Sequence, residues 1–321
     1  MDRTRLSRNR FLVLGRAGMD FYADPPGTLL EDAHAFFPAL GGSAANIATA
    51  ITRLGGQAAL ITSVSDDAVG RYVVNQLHHY GVETNYVRAM SGGVRTSLAV
   101  VETRVENCQS VLYRNQASDF ELAGDDVASL PYDEAGALIV TGTALAMEPS
   151  RSATLAAIAH ARKADLPVII DVDYRPYSWQ NRQEAAEICG EAVALSDIVI
   201  GNDEEFAVLA RDGDGLAFAK ELSEHSASIV IYKKGEKGSI SFADHHSFTL
   251  GIYRVDALKP TGAGDAFMGA FVTGLAQGRS VHDSVQRGSA AAALVVMRVG
   301  CSPANPTPDE LEHFIATHRM S

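Results

Sequence analysis

The segment Lys259-Pro260-Thr261-Gly262-Ala263-Gly264-Asp265-Ala266-Phe267-Met268-Gly269-Ala270 carries the strongest chemical signal in the chain. Glycines at 262 and 264 let backbone N–H groups turn toward one point, and a helix starting there adds the positive end of its dipole. Such a place holds an anion, either a phosphate or the charge that develops on a phosphoryl group in transit. Asp265 then falls in the first helical turn. A carboxylate there can accept the proton of a hydroxyl as it attacks a γ-phosphate. Taken by itself, Gly-Ala-Gly-Asp reads more simply as a loop closed by an aspartate N-cap. It is not a Walker A loop, because no Gly-Lys-Ser/Thr follows. It is not a dinucleotide fingerprint either, because it does not follow a first strand.

A second constellation is Gly41-Gly42-Ser43-Ala44-Ala45-Asn46. Paired glycines ahead of a small-residue helix allow a ligand close to the backbone, and Asn46, one turn in, offers both a donor and an acceptor to sugar hydroxyls. Tight packing of a helix start explains the same residues if they stand alone. The pairs His78-His79 and His245-His246 have no Cys or His set around them and adjacent helical residues do not face one another, so no structural metal is expected. Cys108, Cys189 and Cys301 are far apart, odd in number and without metal-ligand spacing, which fits reduced thiols in a cytoplasm.

These residues need a scaffold. The 321 residues are 46% hydrophobic and 21% charged, values of a globular protein rather than a disordered one. A net charge of −12 argues against nucleic acid or an anionic membrane as main partner, though not against a small anion held by local arginines. The longest aliphatic run, 290–297, is too short to span a bilayer. Short continuous apolar runs at 11–15, 58–64, 137–141, 167–171, 198–200 and 228–232 suit parallel strands covered on both faces. Helical patterns at 44–54, 69–80, 152–164, 266–277, 281–297 and 308–318 alternate with or follow them. The expected fold is α/β: a doubly wound, mostly parallel sheet occupying 11–315, after a flexible segment 1–10. Residues 16–40 lack a helical period, and 95–115 reads as a hairpin turning at Glu106-Asn107. Together these two insertions predict a small β-rich lid, whose open face is expected to pair with a second subunit.

Taken together, the two glycine-bearing segments resemble the N-terminal and C-terminal signatures of the ribokinase-like, or PfkB, carbohydrate kinases, in the right order and roughly the expected distance apart. The stretches 16–27, 113–115, 171–179, 201–205 and 259–261 look most like a sugar-acid kinase of bacterial myo-inositol catabolism. The resemblance implies an ATP-dependent, Mg²⁺-using enzyme and a lid-mediated homodimer. It implies Asp265 as the base for a primary hydroxyl at C6, and the backbone of Gly262, Ala263 and Gly264 as the phosphoryl cradle. It implies a sugar wall of Asp20, Gly41, Gly42 and Asn46. Arg114 and Arg175 match arginines of the related 2-keto-3-deoxygluconate kinases, and a guanidinium pair suits a sugar carboxylate. The alternatives are a solvated charge for Arg114 and an ion pair with Asp171 or Asp173 for Arg175. Asn202 and Glu205 match an Asn-x-x-Glu motif near Mg²⁺ and the phosphates, Glu205 acting directly or through water. They also suit a helix cap with first-turn acids. Lys234, Gly235 and Gly238 match a nucleotide-binding turn, and Ser289 and Gly300 would flank adenine, where helix packing explains them equally well. Lys259 stands where many relatives carry an aspartate that helps bind a monovalent cation, so weak dependence on K⁺ is expected.

The leading expectation is therefore a sugar-acid kinase. A kinase of 2-keto-3-deoxygluconate, fructose or ribose comes next, with the two arginines disfavouring neutral sugars. A non-catalytic sugar or nucleotide sensor is disfavoured by the intact Asp265. A dehydrogenase is weaker still, for lack of a Gly-x-Gly-x-x-Gly after the first strand.

Overall fold

The computed structural model describes residues 3–321. In chain order, the first part runs β1 (Arg10–Leu14), β2 (Gly18–Asp24), β3 (Ala35–Gly41), α1 (Ser43–Arg53), β4 (Gln57–Ser65), α2 (Ala68–His79), β5 (Val87–Met90), β6 (Leu98–Val101), β7 (Ser110–Tyr113) and α3 (Gly124–Ala128). The middle is β8 (Ala137–Thr141), α4 (Ser150–Lys163), β9 (Val168–Asp171), α5 (Arg182–Ala194), β10 (Ile198–Asn202), α6 (Asp203–Leu209) and α7 (Gly215–His225). The last part is β11 (Ile229–Lys233), β12 (Ser239–Ala243), β13 (His246–Leu250), α8 (Ala263–Ala276), α9 (Val281–Val296) and α10 (Pro308–Thr317).

Nine strands form one sheet in the order β13-β12-β11-β10-β9-β8-β1-β4-β5. It is parallel from β11 to β5, and an antiparallel hairpin, β12 with β13, extends one edge. Side-chain alternation along the strands divides the core in two. Leu12, Leu14, Leu138, Val140, Val168 and Ile170 meet one helical layer; Phe11, Val13, Ile139, Ile169, Ile198 and Ile229 meet the other. The chain passes from β1 to β4 on one side and later returns to β8 on the other. That reversal opens a crevice beyond the carboxyl ends of the strands, the usual ligand position in such sheets.

A separate four-stranded sheet, β3-β2-β6-β7, is built from the two predicted insertions. Its inner face carries Asp20, Tyr22, Ala99, Val101 and Leu112. The register places Phe21, Pro38, Val100 and Val111 on the opposite face, where Phe21 packs edge-on against Phe36. The segment ahead of β1 departs from the flexible lead-in expected of it: Arg3–Arg8 forms a 3₁₀ turn, and Leu6 is buried in the core layer with Phe271. Among the described residues, no helix is long and apolar enough to cross a membrane.

Candidate active site

The crevice is a cavity of about 480 Å³ whose walls come from the carboxyl ends of the parallel strands, the inner face of the small sheet and the amino end of α8. A larger surface depression of about 700 Å³ lies at the β12–β13 edge, among exposed side chains such as Glu224 and Asp244. It lacks the buried carboxylates and the glycine-built helix start found in the crevice.

Gly262 opens α8 in a left-handed conformation (φ 84°), and a Cβ on it would sit 2.6 Å from the Cys301 sulfur. Only glycine satisfies both conditions. One helical turn on, Asp265 reaches back to α1, where the Asn46 amide Nδ2 donates to its Oδ2 at 2.8 Å. The Ser302 hydroxyl donates to Asn46 Oδ1 at 2.7 Å, so the amide is held from both ends. Burial, with Asp173 and Asp171 nearby, pushes the Asp265 carboxyl up to about 7, against the opposing effects of Asn46 and Arg175. A carboxylate of that proton affinity, beside a helix N-terminus, can take a proton from an alcohol near neutral pH.

Gly41 and Gly42 are required for a different reason. A Cβ at 41 would overlap the Asp20 carboxylate, and one at 42 (φ 98°) the Arg16 carbonyl. Asp20 is buried, and its Oδ1 has no hydrogen-bond partner. Its Oδ2 accepts from Tyr22 at 3.4 Å, and Arg16 stands 3.9 Å away. Burial raises its carboxyl, with Arg16 opposing. An orphaned buried acceptor facing a cavity suits a polyhydroxylated ligand, whose hydroxyls can donate to it.

Across the cavity, Asp173 accepts from Ser43 at 2.6 Å and Thr143 at 3.1 Å, and pairs with Arg175 at 2.8 Å. Of the two ion pairs considered for Arg175, the one with Asp173 forms; Arg175 still lines the cavity, and its side chain is 45% exposed. Asn202 caps α6: its Oδ1 accepts from the Glu205 N–H at 2.9 Å, while the Glu205 carboxylate accepts from the Asn202 N–H at 2.7 Å. The capping reading is borne out, and both residues also line the cavity. Burial pushes Glu205 up to about 7, with Lys233 opposing and Asp171 adding to the shift. Among the described residues no group of three or more His, Cys, Asp or Glu is placed to hold a metal ion. Glu205 and Asp171 nevertheless face the cavity as acids that a water-carrying Mg²⁺ on a polyphosphate could meet, the way this ion is commonly held.

Arg114 is the main departure. It does not line the cavity: its Nε donates to Asp119 at 3.0 Å, its Nη2 reaches the Thr143 carbonyl at 3.0 Å, and the guanidinium lies 4.0 Å over the Phe120 ring. The pair is buried, so Arg114 is a structural tie beneath the small sheet rather than the solvated charge or ligand expected. Lys234, Gly235, Gly238, Ser289 and Gly300 also lie outside this cavity. Lys234 and Gly238 close a tight turn through a 2.7 Å backbone bond, and Gly300 is left-handed (φ 79°) against Pro303.

Among the site residues that escaped the sequence reading are Arg16 after β1, Asp171 at the end of β9, and Lys233 at the end of β11. The signal was present, because each ends or closely follows a parallel strand on the ligand side of the sheet.

Residues 8–308 match the family described as pfkB family carbohydrate kinase. The chain belongs to the pfkB family of carbohydrate kinases. This pfkB kinase is 44% identical over 315 residues to the 5-dehydro-2-deoxygluconokinase of Photobacterium profundum, covering 96% of this chain and 95% of the relative. Among solved structures it is similar to a fructokinase double mutant from Vibrio cholerae O395 in fructose-, ADP- and potassium-bound form. That match has a TM-score of 0.84 and 27% identity, over 95% of this chain and 98% of the other. A putative ribokinase II from E. coli in complex with ATP and Mg²⁺ shares the fold at a TM-score of 0.87 and 22% identity, over 96% of this chain and 99% of the other.

Proposed function

We propose that this pfkB kinase transfers the γ-phosphoryl group of ATP to the C6 hydroxyl of 5-dehydro-2-deoxy-D-gluconate. The observation that carries the reading is Asp265 held by Asn46 at the glycine-opened end of α8, in a cavity that also presents the guanidiniums of Arg16 and Arg175. The similarity to the Photobacterium enzyme supports the choice of sugar acid.

In this reading the sugar hydroxyls meet Asp20 and Asn46, and the substrate carboxylate meets Arg175, whose planar fork suits it. Asp265 takes the C6 hydroxyl proton as the oxygen attacks phosphorus. The amides around Gly262, Ala263 and Gly264 hold the charge on the moving phosphoryl group. Asn202 and Glu205 lie toward the polyphosphate. Mg²⁺, when bound with the nucleotide, supplies neutralisation of phosphate charge. The turn with Lys234, Gly235 and Gly238, together with Ser289 and Gly300, remains the proposed nucleotide side beyond the cavity.

The small sheet acts as the lid over the sugar, and its outer face joins two copies of the chain. That face leaves Phe36 39%, Val111 44% and Tyr113 61% exposed, an apolar strip that water disfavours. The sugar chemistry fits metabolism in a cytoplasm. ADP release measured on 5-dehydro-2-deoxygluconate, 2-keto-3-deoxygluconate, fructose and ribose tests the substrate assignment. The first should give the highest kcat/KM; a neutral sugar that surpasses it contradicts the assignment. Light scattering on Val111→Glu against the unaltered protein tests the dimer, and an unaltered protein that is monomeric at assay concentration contradicts it.

A further inference from the structure

Among the described residues, Lys233 is the cation lining the cavity that has no hydrogen-bonded or ion-paired partner. Arg16 donates to Ser97 at 2.8 Å, Arg175 pairs with Asp173, and Lys259 donates to the Thr261 carbonyl at 2.6 Å. The Lys233 ammonium makes no hydrogen bond or ion pair with any described residue. Its place is nonetheless well defined. β11 ends in register with β10, setting Lys233 beside Asn202 at the cavity edge. Its Nζ lies 3.4 Å from where a Cβ on Gly264 would stand and 6.0 Å from the centre of the Phe267 ring. The charge therefore hangs against the first turn of α8, on the side that faces the acids Asp171 and Glu205, whose ionised forms it favours. A lone ammonium in a confined cavity, next to converging amides, is arranged for an anion that arrives later.

We infer that Lys233 is a catalytic residue, donating to a non-bridging oxygen of the phosphoryl group in transit. This inference rests on the phosphoryl-transfer reading above. The bond from the sugar oxygen to phosphorus forms while the bond from phosphorus to the ADP oxygen breaks. That electron pair leaves with ADP, and the hydroxyl proton goes to Asp265. Lys233 gains or loses nothing; it stabilises the charge on the equatorial oxygens from beside the first turn of α8. Arg16 and Arg175 are less suited, because each is already engaged on the sugar side.

The test compares K233M, K233R and D265N with the unaltered kinase. It measures turnover, ADP affinity by calorimetry, and the tightening of ADP binding when aluminium fluoride and sugar acid are added to mimic the planar phosphoryl group. K233M should lose about 10²–10³ in kcat, as removal of one transition-state donor does. It should bind ADP as the unaltered protein does, which also reports that it is folded, and should lose the fluoride-dependent tightening. K233R should recover part of both. If K233M keeps its kcat and the fluoride tightening, the inference is overturned. It is equally overturned if ADP affinity and kcat fall together with the tightening intact, since Lys233 then serves only ground-state binding. D265N separates the two readings: full turnover in D265N removes the base assignment but leaves the fluoride result on Lys233 standing.

Discussion

The Asn46 amide donates to the Asp265 carboxylate at 2.8 Å, joining the helix starts of α1 and α8, which lie 219 residues apart in the chain. The bond places the candidate base and the candidate sugar wall in one contact. Ser302 fixes the orientation of the amide, so Asn46 presents its N–H and not its carbonyl to Asp265.

The first consequence is a pH profile. Asp265 must be unprotonated to act as a base, and its carboxyl sits at about 7. Acceptor kcat/KM, which reports the free enzyme, should fall with decreasing pH below about 7 and level off above it. The Asn46 bond favours the ionised form, so Asn46→Ala should move this limb to higher pH. Ser302→Ala should move it in the same direction by less. An unmoved limb in Asn46→Ala would show that another group sets it.

A second consequence concerns stability. The folded-state carboxyl of Asp265 lies above its ordinary value, so the folded protein binds the proton more tightly than the unfolded chain. Stability is thus lost as pH rises from the ordinary aspartate range through about 7. Asp265→Asn removes that loss. Its Tm should exceed that of the unaltered protein at pH 8, with the gap closing toward pH 4; a lower Tm at pH 8 contradicts the argument.

Arg175 and Arg114 should behave oppositely. Arg175→Ala opens the cavity wall and should raise the sugar-acid KM strongly, leaving the ATP KM nearly unchanged. Arg114→Ala strands Asp119 in a buried site, and breaking such a pair costs about 3–5 kcal/mol. Thermal unfolding should therefore detect Arg114→Ala at once, while sugar-acid KM at a permissive temperature changes little. Equal effects of Arg175→Ala on both KM values would contradict its assignment to the sugar acid.

Lys259 carries a prediction about ions. It is fully buried, with its ammonium on the carbonyls of Thr261 (2.6 Å) and Val295 (3.4 Å), next to the glycine turn that opens α8. A fixed positive charge already occupies those carbonyls. Turnover should be the same in potassium and in tetramethylammonium buffers of equal ionic strength; strong activation by potassium would overturn this.

The main sheet was legible because its strands are continuous apolar runs: the predicted 137–141 coincides with β8, and 198–200 with the start of β10. The small sheet was legible from the alternation around Glu106-Asn107, where Asn107 is indeed left-handed (φ 51°). The β12–β13 hairpin was not, because its turn uses Asp244 and His245 at φ 52° and 64° without a glycine to announce it. α5 escaped because its alanine-rich face carries little periodic contrast. In the site, the two glycine signatures led to Asp265, Asn46 and the glycines, since those positions follow from local backbone demands. Arg114 misled for the opposite reason. Whether a guanidinium turns into a cavity or toward Asp119 depends on tertiary packing, and the two outcomes leave the same residues in the sequence.

The proposed removal of the attacking hydroxyl's proton by Asp265 underlies the roles assigned to the cavity. Rapid-quench single turnover of ATP and 5-dehydro-2-deoxygluconate on Asp265→Asn, with ATP affinity measured in parallel, reads that step alone. Phosphoryl transfer should slow by about 10²–10⁴ with ATP affinity retained. Transfer at the unaltered rate would mean that the proton leaves without Asp265.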